Sequence, residues 1–326
     1  MSAKKGAKKA GKKSAKASAK RALRQTPGRA SGRGGSGDPK KPVPRVTASA
    51  AAPVLRPLPV FEFSAGGIAG YLRLCDPDRG FEFCRGADGK SLPATCKEVL
   101  SLRHYLARGD GGLLIPREEA KCEGKVEKKG IVFRYGMTGR WPVEASARYE
   151  LLSAGGLDAT FAFDFSKDLT GFEAGVETLV PRTYAGVHIH AGGRWTLAVA
   201  GPRLKRFYPR NLGAAELIAD GRWNGLRRAG IGLNVEPQGY DYPMLVIWEP
   251  NTDSALAWMA LTEECSSIWI NGADRTVGMG LGGSNVKAAS AYTCRVRVAA
   301  CHISQLDDVL PYYREFVQEA RSSRTR

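Results

Sequence analysis

The sequence predicts an all-β protein: one large antiparallel β-supersandwich, closed by a short C-terminal helix and preceded by a disordered basic segment. Three observations predict it. From Phe61 onward, strand signals dominate, with Leu157, Ala159, Phe161, Phe163 and Phe165 alternating against Asp158, Thr160, Ala162 and Asp164. Tyr292, Cys294, Val296 and Val298 alternate in the same way against Thr293, Arg295 and Arg297. Turn clusters separate such runs, at residues 87–90, 108–112, 153–156, 271–274 and 282–285. Finally, a dozen or more candidate strands without a fixed-period repeat fit one large sandwich better than a propeller or two immunoglobulin-like modules.

The first element is electrostatic rather than structural. Residues 1–47 hold ten lysines and five arginines against a single acid, Asp38, so fourteen of the chain's seventeen net positive charges lie there. Leu23 is its only large apolar side chain between Met1 and Val43. Such a stretch cannot bury a core and is expected to be disordered in isolation. In composition it resembles the lysine-rich tails of linker histones. Lys4, Lys5, Lys8, Lys9, Lys12, Lys13, Lys16, Lys20, Arg21 and Arg24 are the candidate contacts to nucleic acid, through nonspecific counterion release on DNA or RNA backbones. No aromatic interleaves them, so base stacking is not offered. The proline-rich stretch 52–59 reads as a stiff linker. The expected division is therefore a basic tail and linker over 1–56 and a sandwich domain over 57–326.

Apolar runs such as Leu245–Trp248 fall far short of the ~20 residues of a membrane span. The basic N-terminus is not followed by the apolar run of a signal peptide, so a cytoplasmic chain is expected, with no membrane partner. Seven cysteines, irregularly spaced and without a C-x-x-C pair, argue against a disulfide framework or a zinc ribbon. Cys75 and Cys84 flank a turn and could face each other across a hairpin, although buried free thiols are the favoured reading. Arg108-Gly109-Asp110 reads as a turn, not an adhesion motif.

The last element is the helix. Ser304 can cap a turn with Asp307 three residues on, and Pro311 suits a first helical position. Tyr312, Tyr313, Phe316 and Val317 then form an apolar stripe that should pack back on the sandwich, with residues 321–326 frayed.

Several segments together resemble galactose mutarotase-like (aldose 1-epimerase-like) proteins. Gly230–Glu249 is similar to their strand, aromatic-proline turn and strand ending in tryptophan; Ala257–Cys265 resembles an alanine-leucine-glutamate-proline-cysteine strand, interrupted here by Thr262 and Glu263. Leu281–Arg297 resembles their glycine-rich turn and last long strand, and Arg140–Leu151 followed by Leu157–Phe161 resembles the paired strands that open the second half. The resemblance covers roughly residues 60–320 and implies a divergent sandwich of that superfamily.

Aldose epimerisation needs an acid for the ring oxygen and a base for the anomeric hydroxyl. His188 is the candidate acid by its place in the chain, with Glu236, Glu249 or Glu263 as the base. The departures are large: the His-Pro-Tyr-Phe segment implied by the family is absent, since His190 is followed by Ala-Gly-Gly, and His104 stands without a paired histidine. A carbohydrate-binding role asks less, namely aromatic platforms and planar polar groups. The candidates are His190, Arg194, Arg222, Trp223, Gln238 and Glu249, with Trp223 in the glycine-flanked Arg-Trp-Asn-Gly loop as preferred platform. Trp248 and Trp258 read as core. His188 and His190 share a strand face and could offer a metal two ligands, short of the three or four zinc requires, and no cofactor is expected. Sequence alone therefore leaves three readings: a sugar-binding protein of doubtful catalysis, an active aldose or sugar-phosphate 1-epimerase, and a nucleoid-associated protein whose sandwich is a scaffold.

Overall fold

The computed structural model describes residues 60–65, 68–73, 81–85, 96–108, 116, 120–128, 130–153, 155–181, 186–210, 221, 223, 224, 226, 231–249 and 253–324. Expectations that fall on the basic segment, Arg222, Cys75 and the turn clusters at 87–90 and 109–112 lie outside them. Among the described residues, eighteen strands form two nine-stranded sheets.

The first sheet runs, edge to edge, β1 (Val60–Ala65), β2 (Ile68–Arg73), β3 (Phe81–Arg85), β4 (Lys97–Leu106), β9 (Leu169–Leu179), β17 (Thr276–Val286), β16 (Cys265–Asn271), β12 (Leu204–Phe207) and β13 (Leu233–Val235). It is antiparallel except for the β12–β13 pair. The second sheet runs β11 (Arg194–Val199), β10 (Gly186–Ala191), β14 (Met244–Glu249), β15 (Ser254–Ala260), β18 (Ala291–His302), β8 (Gly156–Phe165), β7 (Val143–Leu152), β6 (Gly130–Tyr135) and β5 (Cys122–Glu127), antiparallel throughout.

Period-two alternation decides which side chains meet between the sheets. Phe161, Phe163 and Phe165 of β8 and Cys294, Val296 and Val298 of β18 point into the main core, as the sequence predicts. Phe172 of β9 meets them from the opposite sheet, its ring centroid 4.8 Å from Phe165 and 5.4 Å from Phe163. Polar groups admitted to this core are bonded across it: Trp258 Nε1 donates to Thr178 Oγ1 at 3.0 Å and Tyr149 Oη donates to the Leu100 carbonyl at 2.8 Å. Each such bond avoids the ~1–3 kcal/mol cost of an unmet buried polar group and fixes the sheets in register.

The outer face of the second sheet is half covered by helix α1 (Val309–Arg324). Val309, Tyr313, Phe316 and Ala320, spaced to lie on one helical face, pack on Met244, Val246, Ala257 and Met259. Beside them Arg297 Nε binds Asp158 Oδ1 at 2.6 Å and its Nη2 binds Glu319 Oε2 at 2.5 Å, while the guanidinium lies over the Phe316 ring. The helix is longer than the sequence suggested. It starts two residues before Pro311 and follows a 3-10 turn (Leu306–Asp308). Asp308, rather than Asp307, accepts the Ser304 and Gln305 amides. Residues 321–324 remain helical, held by an Arg321–Glu263 ion pair and by Ser322 and Ser323 hydroxyls donating to the carbonyls of Gln318 and Ala320.

Two further expectations are corrected. The glycine-rich 282–285 stretch is not a turn but the irregular end of β17, where Gly282 and Gly283 take φ of 89° and 87° and the register with β9 shifts. Ala257–Cys265 is not one strand: β15 ends at Ala260, and residues 261–264 turn the chain from the second sheet to the first. Turns at 153–156 and 271–274 form where expected, the latter fixed by Asn271, whose Oδ1 accepts the Ala273 amide.

Candidate functional site

The outer face of the first sheet holds a buried charged nest. On β9, Phe172, Ala174 and Val176 face the core, so Glu173, Gly175 and Glu177 point away from it. Arg206 on β12 and Trp269 on β16, which are register partners, share that outer face. The glycines make the room. A Cβ at Gly175 would lie 2.3 Å from the His104 ring, one at Gly278 2.3 Å from Trp269 Cζ2, and one at Gly280 2.4 Å from Ser267 Oγ.

Into this space Glu173 and Arg206 enter with side chains 0% exposed, Oε1 to Nη1 at 2.8 Å. Glu173 Oε2 accepts from Ser266 Oγ at 2.7 Å and from Trp223 Nε1 at 3.3 Å. A register shift between Cys265 and Ser267 sets consecutive hydroxyls against this carboxylate, Ser267 Oγ at 3.4 Å. The Arg206 guanidinium is stacked between two indoles, 4.7 Å from the Trp223 centroid and 4.8 Å from that of Trp269. Trp223 and Leu226 close the nest from outside with Leu106, Leu204 and Tyr208. His104 lies beside Trp269 at 5.6 Å, its Nε2 buried without a partner among the described residues. Burial foremost, and then the Arg206 charge, lower its pKa to about 3, so the ring is neutral at any physiological pH.

A second cluster lies on the outer face of the other sheet. Val187, Ile189 and Ala191 of β10 face the core, which turns His188 and His190 outward. His190 Nδ1 sits 2.9 Å from Asp241 Oδ2, which also accepts the Gly193 amide at 2.7 Å, while Arg210 Nη1 donates to Oδ1 at 3.1 Å. Burial works against the Asp241 carboxylate, but these donors outweigh it and hold its pKa below the ordinary value. The His190 ring is flanked by Trp195 at 5.2 Å, edge to face, and by Tyr242 at 5.1 Å.

The residues singled out in the sequence divide accordingly. The Gln238 amide rests where a Cβ of Gly192 would be, two residues after His190, and exposed Arg194 begins β11 after the same turn. Trp223 is not an exposed platform: it is 3% exposed because its indole fills the nest. His188 packs near Trp248, 6.2 Å between centroids, and burial lowers its pKa. Glu236 belongs to the opposite sheet, its amide donating to the Arg206 carbonyl at 2.9 Å, and Glu263 is exposed in the turn after β15, paired with Arg321. Glu249 ends β14 opposite Ser254. His188 thus stands on β10 and Glu249 at the end of the neighbouring β14, while Glu236 follows β13 of the other sheet and Glu263 lies in the turn after β15. Glu173 and Arg206 were missed because neither sits in a motif, and outward glutamates on an apolar strand, Glu173 and Glu177 alike, read as solvated.

No protein-family model matches the chain, and no curated protein matches it in sequence. Solved structures do. The chain is similar to the GalNAc complex of the α-N-acetylgalactosaminidase NagBb from Bifidobacterium bifidum, with 15% identity, TM-score 0.50, 80% of this chain and 39% of that one covered. The chain shares the two-sheet β-sandwich fold of the matched part of that enzyme. It spans well under half of that enzyme's length. A candidate aldose 1-epimerase from Escherichia coli K12 aligns over 75% of this chain and 99% of its own, with 11% identity and TM-score 0.44. The Slr1438 protein of Synechocystis aligns over 76% and 96%, with 9% identity and TM-score 0.44.

Proposed function

We propose that this chain is a carbohydrate-binding protein of mutarotase-like fold that does not epimerise its ligand. The observation that carries this reading is the nest itself. A carboxylate, a guanidinium, hydroxyls and two indole faces are the groups that recognise sugar hydroxyls and C–H faces, and they converge on one sheet face around Glu173 and Arg206. A sugar would take the place of the Trp223 indole, lying on the Arg206 guanidinium with a hydroxyl donating to Glu173 where the indole N–H does now. The nest does not suit proton transfer. His104 is held neutral, and Glu173 is engaged by Arg206, Ser266 and Trp223.

Tryptophan fluorescence of the full chain, titrated with a panel of neutral hexoses and N-acetylhexosamines, tests the binding. Saturable quenching that strengthens in Trp223→Ala, where the plug is removed, supports the reading. Titrations that are flat in both proteins overturn it.

The charge distribution favours an additional partner. With fourteen of seventeen net charges in its first 47 residues, the chain is expected to bind nucleic acid backbones nonspecifically, with a log–log salt slope of about −0.9 per phosphate contacted on duplex DNA. Deletion of residues 1–47 should abolish that binding while leaving sugar binding intact. Sugar-independent DNA binding with no ligand for the sandwich would instead favour the scaffold reading.

A further inference from the structure

The outer face of the second sheet carries a histidine whose surroundings are built as a site and which the nest does not use. Asp241 can only accept, so the His190 ring carries its proton on Nδ1 and, when neutral, presents Nε2 as a bare acceptor. The ring cannot easily turn away. Asp241 is itself anchored by the Gly193 amide and Arg210, its own amide donates to the His190 carbonyl at 2.8 Å, and Tyr240 bridges to Ala191 in the adjoining strand. Trp195, the register partner of His190, stands edge to face against it and is held by its Nε1 donating to Asp307 Oδ1 at 2.8 Å, which ties this wall to the turn before α1. Tyr242 forms the other wall and is braced by Tyr313 at 5.5 Å. Among the described residues nothing bonds Nε2, and the imidazole side chain keeps 12% of its surface exposed.

Charge decides the ligand class. The Asp241 carboxylate is already met by Arg210, the Gly193 amide and Nδ1–H, so it is not left over to hold a cation, and a bare Nε2 offers an anion no proton. What remains is one fixed acceptor between two aromatic rings, with the Gln238 amide beside the Gly192–Gly193 turn. We propose that this is a second ligand site, for a neutral hydroxylated molecule such as a polyol or sugar, whose hydroxyl donates to His190 Nε2 and whose C–H groups lie on Trp195 and Tyr242. It uses no residue of the nest, so it stands or falls independently of the reading above.

The test is NMR of the histidine ring signals in the full-length protein, where only four histidines occur and His190→Gln assigns the relevant one. Ring nitrogen shifts first report the tautomer in the unaltered protein, and the Nδ1–H form is expected; a bare Nδ1 overturns the proposal. Titration with D-galactose and with myo-inositol should then move the His190 signals saturably for at least one of them, with inorganic phosphate inert. Asp241→Asn should weaken that binding about tenfold, the loss of roughly one oriented hydrogen bond, while Trp223→Ala should leave it unchanged. Signals that stay still with both polyols, or that move only with phosphate, overturn the site even if the nest binds sugar.

Discussion

At the scale of single residues, Arg206 and Glu173 form the ion pair that, among those of the described residues, has both side chains completely buried. Removing either therefore leaves the other charge without compensation. Glu173→Ala or Arg206→Ala is expected to cost about 3–5 kcal/mol in urea unfolding, and the double variant should cost much less than the sum of the two. Additive costs would show that the pair is not coupled. His104 gives a pH signature. Folded, it takes a proton only near pH 3, and unfolded near 6.5, so between those values the unfolded chain binds more protons. Stability should therefore fall as pH drops through that window, by up to about 1.4 kcal/mol per unit from this ring. His104→Leu should show a correspondingly shallower slope, and an unchanged slope would mean the ring is protonated in the folded protein. None of this was legible in the sequence, because a salt bridge between residues 173 and 206 and an indole from position 223 depend on which strands become neighbours.

At the scale of elements, the strands were readable and their irregularities were not. Alternation identified the inner faces of β8 and β18 because both are long and half buried. It failed at 282–285, where positive-φ glycines mark a shift of register inside a strand rather than a turn, since local composition is the same in both cases. The outward glycines of β9 and β17 carry no local signal in the sequence, although they make the floor of the nest. Gly278→Ala is expected to destabilise by at least ~1–3 kcal/mol, because the new methyl would meet both the Trp269 ring and the Val176 carbonyl. A neutral effect in thermal unfolding would contradict the packing described. For the helix, its apolar stripe was visible but its length was not, since the contacts that hold residues 321–324 come from the turn after β15 and from serine back-bonding. Phe316→Ala removes a fully buried ring beneath Arg297 and should cost about 3–5 kcal/mol.

At the scale of the whole molecule, the two outer faces of the sandwich do different things. The first is sealed by Trp223 over a charged nest; the second is partly sealed by α1 and leaves the His190 cluster at its uncovered margin. The sequence pointed to the sandwich from the order of its segments, to His190 from the strand face it shares with His188, and to Gln238 as a planar amide suited to a sugar hydroxyl. It pointed to Trp223 for the wrong reason, reading the indole as exposed when it is buried over the Arg206 guanidinium. Fold order can be shared at 15% identity because it depends on alternation and turns, whereas site chemistry depends on a few side chains that alternation does not constrain.

The central claim is that this architecture binds carbohydrate without turning over its anomers. It is tested most directly by exchange NMR of freshly dissolved α-D-galactose and α-D-glucose 6-phosphate in the presence of the full chain. Ligand signals that broaden or receive saturation from the protein, with α and β forms interconverting at the spontaneous rate, are the expected result. Interconversion accelerated in proportion to protein concentration would contradict the claim, and its loss in His188→Ala would place the acid on the second sheet.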